Sequence, residues 1–170
     1  LNENLLKQMK TGAWLINASR GAVVKNADLK KLLRAGHLGG VVLDVWEGEP
    51  VIDTDLMALV DIATPLIAAH SYEGQVNGTI QIYQAYTQHY GLDGGWDPKS
   101  VLVPSAEDQL NLKAPATGSL ETEVGLASLV KQMYDVEADD LLFRQSIDLP
   151  AEERGAFFLK LRKEYPRRRT

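Results

Sequence analysis

The sequence predicts an α/β fold with a parallel sheet, and three observations predict it. Three short apolar runs, at residues 13–17, 41–43 and 62–63, are each bounded by Gly, Pro or polar residues. Runs this short read as strands buried on both faces. A helical pattern at residues 26–35 lies between the first two runs, and strand, helix, strand is the parallel crossover unit. Each run also leads into a polar turn: Ala18-Ser19-Arg20-Gly21, Asp44 to Pro50, and the segment from Thr64. In parallel sheets ligands sit outside the carboxyl ends of the strands. Arg20, Asp44, Glu49 and the residues after Pro65 are therefore the candidate chemistry.

Taken in order, residues 3–10 read as a helix with Leu5, Leu6 and Met9 on one face and Gly12 as its stop. The first strand comes next. Asn26 is an expected N-cap, because its side-chain oxygen can accept from the free amides of a first turn. Leu29, Leu32 and Leu33 form the buried stripe of that helix, and Gly36 ends it. Gly39-Gly40 lead into the second strand, and residues 53–59 allow one short helical turn. Residues 71–90 form a long helical pattern with apolar residues at Val76, Ile80, Tyr83 and Ala85 or Tyr86. Gly74 and Gly78 weaken it by roughly 1 kcal/mol each relative to Ala.

Gly91-Leu92-Asp93-Gly94-Gly95 is a breaker cluster, where a domain boundary is expected. Beyond it, residues 101–103 read as a strand, residues 106–118 as loop, and 109–112 as one further strand. Residues 120–134 form an amphipathic helix carrying Leu126, Leu129, Val130 and Met133. Residues 138–144 and 151–164 are two more helices.

Composition narrows the classes. The chain has 170 residues, 45% of them apolar, as in a globular core. No apolar run approaches the ~18 residues of a membrane span, so no membrane partner is expected. The net charge of -5 argues against nucleic acid as the main partner. There are no cysteines, hence no disulfide framework or thiolate metal site. No His, Asp and Glu cluster has ligand spacing, so no metal is expected. The first residues have neither the basic nor the apolar region of a signal peptide, and a cytoplasmic location is the expectation.

Arg20 offers a planar fork of donors that suits a carboxylate or a polarised carbonyl. A surface ion pair is the plain alternative. Asp44, ending the second strand, can accept from a ribose hydroxyl or a nicotinamide amide. Glu49 lies in a Gly-Glu-Pro turn. Both serve equally as turn or cap residues. His70 is the histidine near these strand ends, while His37 lies at a helix end and His89 in the long helix. Trp46 reads as packing. No glycine fingerprint for a pyrophosphate comes after a strand, so the chain cannot build a complete dinucleotide site by itself.

Leu15-Ile16-Asn17-Ala18-Ser19-Arg20-Gly21-Ala22-Val23-Val24, then Leu43-Asp44-Val45-Trp46-Glu47-Gly48-Glu49-Pro50, then Thr64-Pro65 resembles the NAD-dependent D-2-hydroxyacid dehydrogenases. Further blocks are similar to one branch of that family, which acts on a phosphorylated hydroxy acid and carries an extra C-terminal dimerisation domain. They are Ser71 with Glu73-Gly74, Gly78-Thr79 with Gln81-Ile82-Tyr83, Tyr134-Asp135-Val136, Asp139-Asp140, and the tail with Leu161-Arg162-Lys163, Tyr165 and Arg168-Arg169. The resemblance implies the second half of a doubly wound, Rossmann-like domain followed by a small α+β dimerisation domain. Residues 1–90 would be the C-terminal part of the NAD-binding domain with its exit helix. Residues 91–170 would be a truncated dimerisation domain pairing two copies. The whole would be an internal piece of a longer enzyme.

The resemblance also implies roles. Arg20 matches the arginine that holds the substrate carboxylate, and Glu49 the glutamate that partners a catalytic histidine. Ala18, Ser19, Arg20 and Asp44 match positions near NAD. The catalytic histidine comes directly after the Thr-Pro pair, where this chain has Leu66. The glycine and the substrate-contacting tyrosine that come next are here Ala69, on the cofactor side, and His70, on the substrate side. The alternative readings are another dehydrogenase of the same family and a non-catalytic NAD-binding or dimerisation module.

Overall fold

The computed structural model describes residues 1–97, 100–102 and 122–166. Contacts divide the chain into two compact units. One joins Leu1–Ala68 to Asp135–Tyr165, and the other joins Ala69–Tyr134 to the residues from Pro166. These units do not match the division expected at residue 91. The long helix after Ser71 lies wholly in the second unit, and the segment from Asp135 returns to pack on the sheet.

The first unit is built on three parallel strands, β1 (Trp14–Asn17), β2 (Gly40–Leu43) and β3 (Ile62–Ala63), in the order β1-β2-β3. Helix α1 (Glu3–Leu6) precedes β1. It is shorter than the pattern at residues 3–10 suggests: Leu6 is buried, but Leu5 is exposed. Met9 also packs half-buried on the core, but past Lys7 the amides of Gln8 and Met9 bond three residues back, to Leu5 O and Leu6 O, so the α-helix closes after one turn. Helix α2 (Asn26–Arg34) is the crossover between β1 and β2 and buries Leu29 and Leu32. Its N-cap is Lys25, without a side-chain cap. Asn26 is instead the first helical residue, and its amide donates to Glu47 Oε2 at 2.9 Å. A carboxylate from a distant turn thus satisfies the helix's first free amide, while the amides of Asp28 and Leu29, which an Asn26 cap was expected to cover, bond to Lys25 O at 3.1 and 3.0 Å. Helix α3 (Thr54–Met57) is capped by Asp53, which accepts from the Leu56 amide.

The tail of this unit closes the core from the β3 side. Helix α6 (Val136–Arg144) runs through a 3₁₀ turn (Gln145–Asp148) into helix α7 (Ala151–Lys163). Phe143 and Phe158 are buried. Their rings meet edge-on at 5.6 Å, and Phe143 meets Trp46 at 5.9 Å. Burying each phenylalanine contributes roughly 1.5–3 kcal/mol, so the tail is part of the core and not an appendage to it.

In the second unit, helix α4 (Tyr72–Tyr90) starts at Ser71, whose hydroxyl accepts from the Gly74 amide at 3.1 Å. It ends at Gly91, whose φ of 62° is the left-handed turn that favours glycine. None of its residues is buried. The chain then turns back so that Trp96 packs edge-on against Tyr83. Val101 lies in a turn and Leu102 in irregular backbone, so these two are not strand. The strand expected at 109–112 and the loop at 106–118 lie outside the described residues. Helix α5 (Glu123–Met133) leaves Leu126, Val130 and Met133 exposed.

Candidate functional site

The register of the sheet assembles the site. Asn17 pairs with Leu43, and Leu43 pairs with Ala63. The three strands therefore end in one row, and the three polar turns leave the sheet side by side. Backbone bonds carry the row onward: the Asp44 amide donates to Asn17 O at 3.0 Å, the Thr64 amide to Leu43 O at 2.9 Å, and the Leu66 amide to Asp44 O at 2.7 Å.

Asn17 shapes the first turn. It is buried, and its Oδ1 accepts from the Ser19 amide and the Ser19 hydroxyl, at 3.2 and 2.8 Å. Its Nδ2 donates to Arg20 O at 3.1 Å. Ala18, Ser19 and Arg20 are thereby fixed as an exposed turn. One Arg20 nitrogen donates to Ser19 O at 2.7 Å. The next residue is Gly21 because the Trp46 carbonyl passes directly over it, where a Cβ would overlap that group.

Asp44 shapes the third turn. It is 6% exposed. Its Oδ1 accepts from the Thr64 hydroxyl at 2.7 Å and the Ile67 amide at 2.8 Å, and its Oδ2 from the Ala68 amide at 3.0 Å. Three donors around one carboxylate make a rigid turn. Inside it Leu66 adopts φ 59°, a left-handed conformation uncommon for leucine and better suited to Gly, Asn, Asp or His. Backbone strain of this kind persists only where the surrounding structure over-determines it, as the donors on Asp44 do here.

Glu49 is half-buried in the second turn, next to a cis peptide bond to Pro50, and its Oε2 accepts from the Trp46 amide at 3.1 Å. Trp46 then reaches the third turn, its indole Nε1 donating to Thr64 O at 3.0 Å. Trp46 is thus packing, as expected, and also a strut between the Glu49 and Thr64 turns. The structure brings Arg20, Asp44, Glu49 and Leu66 to one edge of one unit. Ala69 and His70 fall in the other unit. Asn17, Trp46 and Thr64 are the framework that sequence reasoning missed. A polar residue closing an apolar strand was the available signal for Asn17.

Among the described residues no group of His, Cys, Asp and Glu is arranged to hold a metal ion, and no helix is long and apolar enough to cross a membrane.

Residues 1–71 match the NAD binding domain of the D-isomer specific 2-hydroxyacid dehydrogenases, and residues 108–170 match a domain of unknown function, DUF3410. The chain is homologous along nearly its whole length to enzymes named erythronate-4-phosphate dehydrogenase. It is 45% identical to that of Pseudomonas fluorescens (strain SBW25), covering 96% of this chain and 42% of the relative. It is 46% identical to that of Cellvibrio japonicus (strain Ueda107), covering 99% and 44%. The chain thus spans less than half the length of these relatives. A crystal structure of a D-isomer specific 2-hydroxyacid dehydrogenase from Polaromonas sp. JS6 66 aligns with 52% of this chain and 29% of its own at 33% identity, with a TM-score of 0.42.

Proposed function

We propose that this chain is the catalytic-edge portion of an NAD-dependent D-2-hydroxyacid dehydrogenase that oxidises 4-phospho-D-erythronate to the 2-oxo acid, on the route to pyridoxal 5'-phosphate. The observation that carries this reading is the row of aligned strand ends, which places Arg20, Asp44, Glu49 and the Leu66 turn on one edge.

The residues present fit the nicotinamide end of NAD. The turn 18–20 is held exposed by Asn17, and Asp44 Oδ2, with one amide donor, keeps a lone pair for a carboxamide or ribose donor. NAD bound there would supply the hydride acceptor. Arg20 would hold the substrate carboxylate through its fork of donors, fixing carbon 2 against the sheet edge. Glu49 would face the group at position 66 across the Trp46 strut. A histidine there would take the hydroxyl proton, and a neighbouring carboxylate would favour its charged form. Leucine cannot take that proton.

Leu66 supports a second reading, a non-catalytic NAD-binding module. A chimera decides between them: this chain replaces the matching part of the Pseudomonas fluorescens enzyme, and NADH formation is followed by absorbance. Leu66→His should raise turnover by about two to four orders of magnitude, the range of a positioned general base. A gain under about threefold with NAD still bound would favour the binding module. If His70→Ala alone abolished activity, His70 would be the base instead. The exposed apolar residues of α5 support pairing of two copies through the second unit. A monomeric mass for the chimera in sedimentation would refute that pairing.

A further inference from the structure

Asp140 is a charged residue on the middle of α6, yet it is only 9% exposed. Its Oδ1 accepts from the amide of Ala63, the last residue of β3, at 2.6 Å. Its Oδ2 accepts from Arg144 Nε at 2.8 Å. The other guanidinium nitrogens reach the corner that leads into β3, donating to Met57 O at 2.7 Å and Val60 O at 2.8 Å. β3 is the edge strand on this side of the sheet, with β2 as its neighbour. A side-chain carboxylate thus takes the place a further strand would occupy on the Ala63 amide, and an arginine collects the carbonyls that the corner leaves over.

We propose that the Asp140–Arg144 pair is a clamp that sets the position of the 64–68 turn, and so makes the α6 segment of the domain of unknown function a working part of the site. Reference to a site rests on the dehydrogenase reading; the clamp itself does not. Thr64 is the residue directly after Ala63, and its hydroxyl is the first of the donors to Asp44. The path from Arg144 to Leu66 therefore runs through covalent neighbours and short hydrogen bonds alone. Phe143, between Asp140 and Arg144 in sequence, anchors the helix against Trp46, the strut to Thr64 O. Two contacts from α6, one polar and one aromatic, converge on the same turn. Asp140 and Arg144 are positioning residues and touch no substrate.

Amide hydrogen exchange of the 170-residue chain, read residue by residue, tests the clamp. Asp140→Ala should speed exchange at residues 63–68 by at least about tenfold, while residues 15–17 and 41–43 stay within about twofold of the parent. Asp140→Asn keeps a carbonyl oxygen for the Ala63 amide and should restore much of that protection. Should Asp140→Ala fail to fold, Arg144→Lys carries the test: it gives up the two carbonyls and should loosen residues 57–68 selectively. Exchange that rises equally in β1 and β2, or that does not rise at residues 63–68, overturns the proposal. NAD takes no part in this measurement. Failure of the clamp and failure of the dehydrogenase reading in the chimera are therefore separate results.

Discussion

The Thr64 hydroxyl donates to the Asp44 carboxylate at 2.7 Å, tying the end of β3 to the end of β2. Both side chains are buried. The turn after β3 owes its shape to this pair and to the two amides that join it on the same carboxylate.

Replacing Asp44 by Ala should therefore cost roughly 3 kcal/mol or more, since hydrogen bonds to a charged acceptor contribute about 1.5–3 kcal/mol each and buried donors are left over. Thr64→Val keeps the shape and removes one of these donors, and should cost about 1.5 kcal/mol, the low end of that range. Urea unfolding of both variants checks the ratio. Equal costs would mean that the carboxylate does not organise the turn.

Leu66 inverts the usual order of glycine and alanine. Its φ of 59° penalises any Cβ, by about 1–2 kcal/mol. Leu66→Gly should therefore be more stable than Leu66→Ala by about 1 kcal/mol. The two lose the same packing apart from one methyl group, so their difference in urea midpoint isolates the backbone.

Gly21→Ala should destabilise by about 2 kcal/mol or more, because the new methyl overlaps the Trp46 carbonyl and the backbone must part to admit it. The comparison is Gly78→Ala on α4, where a Cβ meets nothing within 4 Å. That change should be neutral or stabilising. Thermal unfolding of the two variants checks the contrast.

Acid should weaken the first unit through Asp53. Burial pushes this carboxyl up, but Lys30 at 2.5 Å and the Leu56 amide outweigh it and hold it below its usual range. A carboxylate depressed in the folded state contributes stability above its unfolded pKa and loses it as pH falls through the folded one. Asp53→Asn, which keeps a capping oxygen, should be less stable than the parent at neutral pH. The gap should close as pH falls below the ordinary carboxylate range. Glu3, drawn to about 2 by Lys7 and then Lys31, is only half-buried and both lysines are exposed, so it should add little. Chemical denaturation across the acid range gives the curve, and a gap that stays constant with pH would refute the assignment.

The strands were legible because each is a short apolar run stopped by Gly, Pro or a polar turn. Their order agrees with the crossover of α2. Arg20, Asp44, Glu49 and position 66 were legible as a group because parallel strands deliver their outgoing turns to one edge. The tail was not. Periodicity identifies the apolar residues of α6 and α7, yet it does not say which surface they cover. Phe143 meets Trp46 across more than half of the chain. Asp140 and Arg144, four apart on a helix, look like an ordinary surface pair, and only their docking on β3 buries Asp140 and half-buries Arg144. Asn26 is not the cap because the helix starts one residue earlier than its side chain suggested, with Lys25 O taking the amides of Asp28 and Leu29; the carboxylate of Glu47 on the Asn26 amide comes from a turn distant in sequence. A stop signal at Gly91 ends a helix, but which segments pack together is decided by contacts no local pattern encodes.

The bond from the Trp46 indole to Thr64 O is also an optical instrument built into the fold. The ring is 1% exposed, whereas Trp14 on β1 is 58% exposed. Trp46 should emit at the blue end of tryptophan fluorescence and resist aqueous quenchers, while Trp14 emits red and quenches readily. With Trp14→Phe in place, and Trp96 as the remaining indole in the other unit, a red shift would report the release of Thr64. Opening of this turn can therefore be followed in real time, with no label attached.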